Sequence, residues 1–174
     1  KNMFLVALFF AFSQKHLAMK CYALSLVVIL TATTSCKKDS FMLELAPTDY
    51  LIFGEYFGEC IGNCVTLYKI EDGQLYLDDV DYGPPTEIPF LEAPLAPEKY
   101  EAARNIVDFF PNELLQSDRR RYGCPDCHDQ GGIYLELFQE GQRHIWFIDP
   151  EDQEQSWAII NFKERLLLIY DELK

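Results

Sequence analysis

The chain has 174 residues, 28 of them Asp or Glu and 15 Lys or Arg, for a net charge of −13. That length makes one ordinary domain, and the carboxylate excess excludes the cation-driven binding of nucleic acid. Neither apolar run at the front reaches the roughly 18 residues a bilayer span needs.

Charge is distributed unevenly. Residues 1–35 hold Lys1, Lys15 and Lys20 and no acid, so all 28 acidic residues lie from Cys36 onward, against 12 Lys and Arg, and give that part −16. Of the apolar runs, 4–12 and 21–32, the second has the parts of an export signal in order. Met19-Lys20 is its basic start, and the small residues Thr33-Thr34-Ser35 stand before Cys36. A cysteine at the cleavage point offers its thiol to a diacylglyceryl group, and residues 19–40 resemble the lipobox of bacterial lipoproteins. Lys37-Lys38-Asp39-Ser40 is similar to the polar tether of lipoproteins of the Bacteroidetes group, which implies the outer membrane. The resemblance implies a signal peptide over 19–35, lipidation of Cys36, a tether over 36–48 and a membrane partner reached through lipid. Residues 1–18 read as an upstream extension, and 49–174 as a single domain.

Within that domain, 50–57 is rich in aromatic and β-branched residues and 65–70 alternates, so both read as strands. Asp72-Gly73 suits a tight hairpin, with 74–78 as the return strand. After an irregular proline-bearing stretch over 83–97, Tyr100, Ala103, Val107 and Phe110 recur at helical spacing, started by Pro97 and stopped by Pro111. Residues 112–117 read as one more helical turn and 118–132 as a polar loop, in which Arg119-Arg120-Arg121 is a solvated basic run. A second hairpin, 133–138 with 144–148, turns at Glu140-Gly141-Gln142. In the last segment Ile159, Phe162, Leu166, Ile169 and Leu173 form an apolar helical stripe, with Lys163, Glu164 and Arg165 facing away. Trp146 and Trp157 read as core. The element order predicts an α+β fold: an antiparallel sheet of about five strands with two main helices on one face, in which a degenerate ββα duplication is one arrangement.

Chemistry concentrates in four cysteines, Cys60, Cys64, Cys124 and Cys127. An even number in an exported domain reads first as two disulfides, with three connectivities open. Three other chemistries fit the spacing. Cys124-Pro125-Asp126-Cys127 has the spacing of thiol oxidoreductases, although the strand that follows, and Asp126 and Asp129, do not favour a thiolate. Cys124, Cys127 and His128 match the attachment pattern of c-type haem, with Met42 or His144 as a distal ligand. Four thiolates could also hold zinc. Asp78, Asp79 and Asp81 lack the later glutamate of a calcium loop, since Phe90 stands there, and read as a solvated acidic loop. His144 reads as a packed or surface residue.

Residues 60–76, with Cys60-Ile61-Gly62-Asn63-Cys64, an alternating strand, Asp72-Gly73 and a second strand, resemble small exported domains of unknown function. The resemblance implies a hairpin with a cysteine-closed loop and no particular activity. No convergent set of acid, base and nucleophile stands out. The sequence therefore points to a binding or interaction domain without a cofactor, whose partner is an envelope protein or a small ligand. The alternative is a redox or electron-transfer lipoprotein acting through Cys124 and Cys127.

Overall fold

A computed structural model describes residues 41–81 and 87–173. The signal, Cys36 and the start of the tether, residues 37–40, lie outside these. The described chain is α+β, as expected, with six strands in the order β3-β2-β1-β5-β6-β4. They are β1 (Tyr50–Tyr56), β2 (Val65–Glu71), β3 (Gln74–Leu77), β4 (Arg121–Tyr122), β5 (Gly132–Gln139) and β6 (Gln142–Ile148). Helix α1 (Pro97–Ala103) precedes β4, and α2 (Trp157–Leu173) ends the chain.

β1 and β5 lie at the centre, paired antiparallel from Tyr50 opposite Phe138 to Tyr56 opposite Gly132. Central strands are covered on both faces, which is why both read as nearly continuous apolar runs rather than clean alternations. Each belongs to a hairpin. Asp72 (φ 46°) and Gly73 (φ 70°) turn β2 into β3, and Glu140 (φ 53°) and Gly141 (φ 76°) turn β5 into β6, positive angles that suit a type I′ turn. β1 and β2 approach closely at Gly54, where a Cβ would stand 2.1 Å from the Thr66 carbonyl oxygen.

The sheet's two faces carry different layers. On one, Leu51, Phe53, Tyr68, Leu135 and Trp146 meet Ala103, Ile106, Phe110 and the stripe of α2 in the main core. Ser156 caps α2, its Oγ accepting the Ile159 N–H at 3.3 Å. From there Ile159, Phe162, Leu166, Tyr170 and Leu173 point inward, with Phe162 6.0 Å from Phe110 and Tyr170 5.8 Å from Tyr68, ring to ring. Burying each such side chain contributes about 1.5–3 kcal/mol. On the other face Ile52, Tyr56, Val65, Leu67 and Tyr134 form a smaller cluster, partly covered by Val80, Ile88 and Phe90.

Several expectations are corrected. The sheet has a sixth strand and is mixed, because β4, inside the segment read as a polar loop, runs parallel to β6, with Arg121 opposite Phe147. Arg121 lies over the Phe147 ring and Arg119 over the Tyr122 ring, so aromatic faces hold the basic run to the sheet. The helix read from Pro97 to Pro111 is α-helical only to Ala103 and then tightens to a 3-10 helix over Arg104–Phe109. Asn105, Ile106, Val107 and Asp108 are weak helix formers, and Phe110, before Pro111, is extended at ψ 124°. A second 3-10 turn, Asn112–Leu114, follows.

Trp157 is 78 % exposed, because it is the first residue of α2, ahead of the buried stripe. Lys163, read as facing solvent, is 2 % exposed. Its Nζ donates toward the carbonyls of Asp149 (3.3 Å) and Glu151 (3.0 Å), Asp152 Oδ1 (2.6 Å) and Gln155 Oε1 (3.1 Å). The loop before α2 thus wraps its oxygens around a buried ammonium.

Candidate functional site: the cysteine loops and the cleft over Glu136

The cysteines lie where β1 ends and β2 and β5 begin, since Tyr56 pairs with both Val65 and Gly132. They are bonded locally, Cys60 to Cys64 and Cys124 to Cys127, with Cα atoms 5.7 and 5.5 Å apart. Of the three connectivities this is the one closing the shortest loops. Zinc or haem at these positions would need free thiols, and here the sulfurs are in two bonds. Among the described residues no group of three or more His, Cys, Asp or Glu side chains is placed to share an ion.

Carboxylates organise these loops. Asp126, in the left-handed region at φ 61°, accepts the Gly58 N–H at 2.9 Å and the Gly131 N–H at 3.2 Å, tying the two cysteine loops together. Asp149 is buried and accepts the N–H groups of Cys124 (2.7 Å) and Glu151 (2.9 Å). Burial pushes its carboxyl up, but those N–H groups, with Gln130 and Lys163, more than reverse this and leave it below the usual carboxylate range. His128 is exposed, as is Met42. His144 stacks on Trp146 at 5.8 Å, a packing role. Asp78, read as solvated, is buried; it accepts the N–H of Leu67 at 2.5 Å and of Val80 at 3.1 Å, while Asp79 and Asp81 are exposed.

The most distinctive polar group was not among the sequence candidates. Glu136 is 1 % exposed on the sheet face away from the helices. It accepts the Tyr50 hydroxyl at 3.0 Å, the Tyr134 hydroxyl, and Arg143 through Nε at 2.6 Å and Nη2 at 2.7 Å. Four donors occupy the acceptor capacity of a carboxylate. Burial, and then the charge of Glu136, push the Tyr50 hydroxyl up to about 12; burial and the bond to Glu136 raise Tyr134 as well. Both tyrosines therefore stay protonated donors. The bond to Glu136 holds Arg143 still more firmly in its charged form. A signal existed in the sequence: Glu136 stands mid-strand between Leu135 and Leu137, and a charge in a doubly covered strand requires partners.

Above this network is a cleft of about 260 Å³, lined by Tyr50, Ile52, Lys69, Ile88, Phe90 and Arg143, with Glu87 and Glu136. Lys69 Nζ lies 5.0 to 6.0 Å from the ring centroids of Phe90, Tyr76 and Tyr50 and bonds Glu71 Oε2 at 2.7 Å. A larger cleft, about 460 Å³, lies between residues 45–47, the β2–β3 turn, Tyr100 of α1 and the 3-10 helix that follows it. Arg104 there pairs with Glu101 in the open, at 3.1 Å. Buried charge converges only under the smaller cleft among these two.

No protein-family model matches the chain, and no curated protein matches it.

Proposed function

We propose that the chain is a cell-envelope lipoprotein, held on the outer membrane through Cys36, whose domain binds a small amphipathic ligand rather than catalysing a reaction. The observation that carries the binding reading is the cleft over Glu136, whose buried acid is spent on its own four donors. A carboxylate with four donors has no lone pair left to take a proton from a substrate, and tyrosines raised above their ordinary range do not serve as bases near neutrality. What the cleft offers is apolar wall, from Tyr50, Ile52, Ile88 and Phe90, beside Lys69, an ammonium with three donors of which one goes to Glu71, while Arg143 is held by Glu136. That pattern suits an apolar or aromatic body with an anionic head. The two local disulfides suit an oxidising compartment and stiffen the end of the sheet.

Two experiments test this. The anchor is read by metabolic labelling with an alkynyl palmitate analogue: the full chain incorporates it and Cys36→Ser does not, whereas equal labelling of both refutes the anchor. The cleft is read by amide chemical shifts on titrating benzoate and, separately, benzylammonium. Benzoate should shift Ile52, Lys69 and Phe90 selectively, and Lys69→Met should weaken it roughly tenfold, the loss of one charge-assisted contact. No selective shift, or preference for the cation, refutes the cleft as an anion-binding site.

A further inference from the structure

The two disulfides are held in unlike ways, and the difference assigns them different chemistry. In the Cys60–Cys64 loop, Cys64 is 2 % exposed, while Glu59 and Ile61 at the tip stand in solvent. Hydrogen bonds close the base of that loop, from Phe57 N–H to the Cys64 carbonyl (2.8 Å) and from Cys64 N–H to the Asp81 carbonyl (2.9 Å). Among the described residues, none holds Glu59, Cys60 or Ile61. The shape of that tip depends on its sulfur bond.

The Cys124–Cys127 loop is the reverse. Both cysteines are exposed, and the backbone between them is fixed without the sulfurs. Asp149 accepts the Cys124 N–H at 2.7 Å, and Gln130 Nε2 donates to the Cys124 carbonyl at 2.9 Å. The Cys127 N–H closes a turn onto that carbonyl at 3.2 Å, and the Asp126 N–H bonds the Gly131 carbonyl at 2.8 Å. The Asp126 carboxylate adds the bonds to Gly58 and Gly131. So short a loop also gains little from closure in chain entropy, so opening the bridge takes little from the fold. Thiol–disulfide exchange requires that an incoming thiolate reach a sulfur, which this pair allows at both exposed cysteines and the other bridge only at half-buried Cys60, Cys64 being buried.

We propose that Cys124–Cys127 is a surface thiol–disulfide exchange site whose loop keeps its shape with the sulfurs bonded or reduced, and that Cys60–Cys64 is scaffold. This goes beyond ligand binding in the cleft and does not depend on it. The co-reactant is an external dithiol. One of its thiolates attacks the sulfur of one cysteine, forming a mixed disulfide and releasing the other cysteine as a thiolate, which takes a proton from water. The second external thiolate then attacks its partner sulfur in the mixed disulfide and leaves as a cyclic or intramolecular disulfide. The remaining cysteine thiolate is released and protonated. Two electrons pass to the protein and the dithiol is oxidised. In this sequence of steps the bonded pair is the electrophile that the external thiolate attacks.

The test is a redox titration of the full chain in mild detergent, across ratios of reduced to oxidised dithiothreitol. Samples are acid-quenched and alkylated, and peptide mapping reads each pair separately. The Cys124–Cys127 pair should open at a ratio roughly tenfold less reducing than Cys60–Cys64, with the amide and indole NMR signals of buried Trp146 unchanged, and oxidised dithiothreitol should close it again. The double variant Cys124→Ser/Cys127→Ser should keep the same Trp146 signals. Opening of both pairs together, opening of Cys60–Cys64 first, or loss of the Trp146 signal as Cys124–Cys127 opens each overturns the proposal.

Discussion

Removing the guanidinium of Arg143 should harm the fold more than removing the charge of Glu136, although the two form one ion pair. The asymmetry follows from where each partner is left. Glu136 is 1 % exposed and the Arg143 side chain 36 % exposed. In Arg143→Ala the carboxylate stays buried with only the Tyr50 and Tyr134 hydroxyls, and breaking a buried pair from that side costs about 3–5 kcal/mol. In Glu136→Gln the arginine can turn to water, the side-chain volume is kept and the tyrosine hydroxyls can rotate, so the loss is about 1.5–3 kcal/mol, that of charge-assisted bonds. Urea unfolding monitored by tryptophan fluorescence, on each single variant and the double variant, gives both values and their coupling. Since Glu136 and Arg143 touch, the losses should not add. A loss under about 1 kcal/mol for Arg143→Ala, or a larger loss for Glu136→Gln, refutes the argument from burial.

Three further outcomes are expected. Lys163→Met keeps the buried stem but leaves the Asp149 and Glu151 carbonyls without their ammonium, which should destabilise by about 2–4 kcal/mol in the same unfolding assay; a change below about 1 kcal/mol would mean that water replaces the lysine. Gly54→Ala drives a Cβ to 2.1 Å from the Thr66 carbonyl and 2.9 Å from the Leu67 Cα, backbone that cannot step aside, so it should cost about 3 kcal/mol or abolish folding. Stability should also fall in alkali. A folded-state hydroxyl raised from 10.0 to about 12, as in Tyr50, contributes stability present below 10 and lost as pH rises through about 12. Unfolding measured over that window should show a shallower decline in Tyr50→Phe, and an unchanged slope would refute the role given to Tyr50.

The sequence determined what depends on near neighbours. Alternation marked residues 65–70 and aromatic and β-branched content marked 50–57 as strands, Asp72-Gly73 and Glu140-Gly141 marked the turns through the positive φ they tolerate, and the spacing of Ile159, Phe162, Leu166 and Leu173 marked the helical stripe. Tertiary structure decided what depends on distant partners. Arg121 and Tyr122 form too short a segment to show a period, and they become a strand only because β6 lies beside them. Lys163 sits one step past Phe162 and would face water on an isolated helix; the oxygens of residues 149–155 draw it inward. The pairing of the cysteines could not be read from spacing, since all three connectivities are compatible with it, and it follows from where the loops stand at the end of the sheet. The cleft is the extreme case. Its cations and its buried acid come from β2, β5 and β6, up to 74 residues apart in the chain, and nothing in local sequence records that pleating would bring Lys69, Glu136 and Arg143 to the same face.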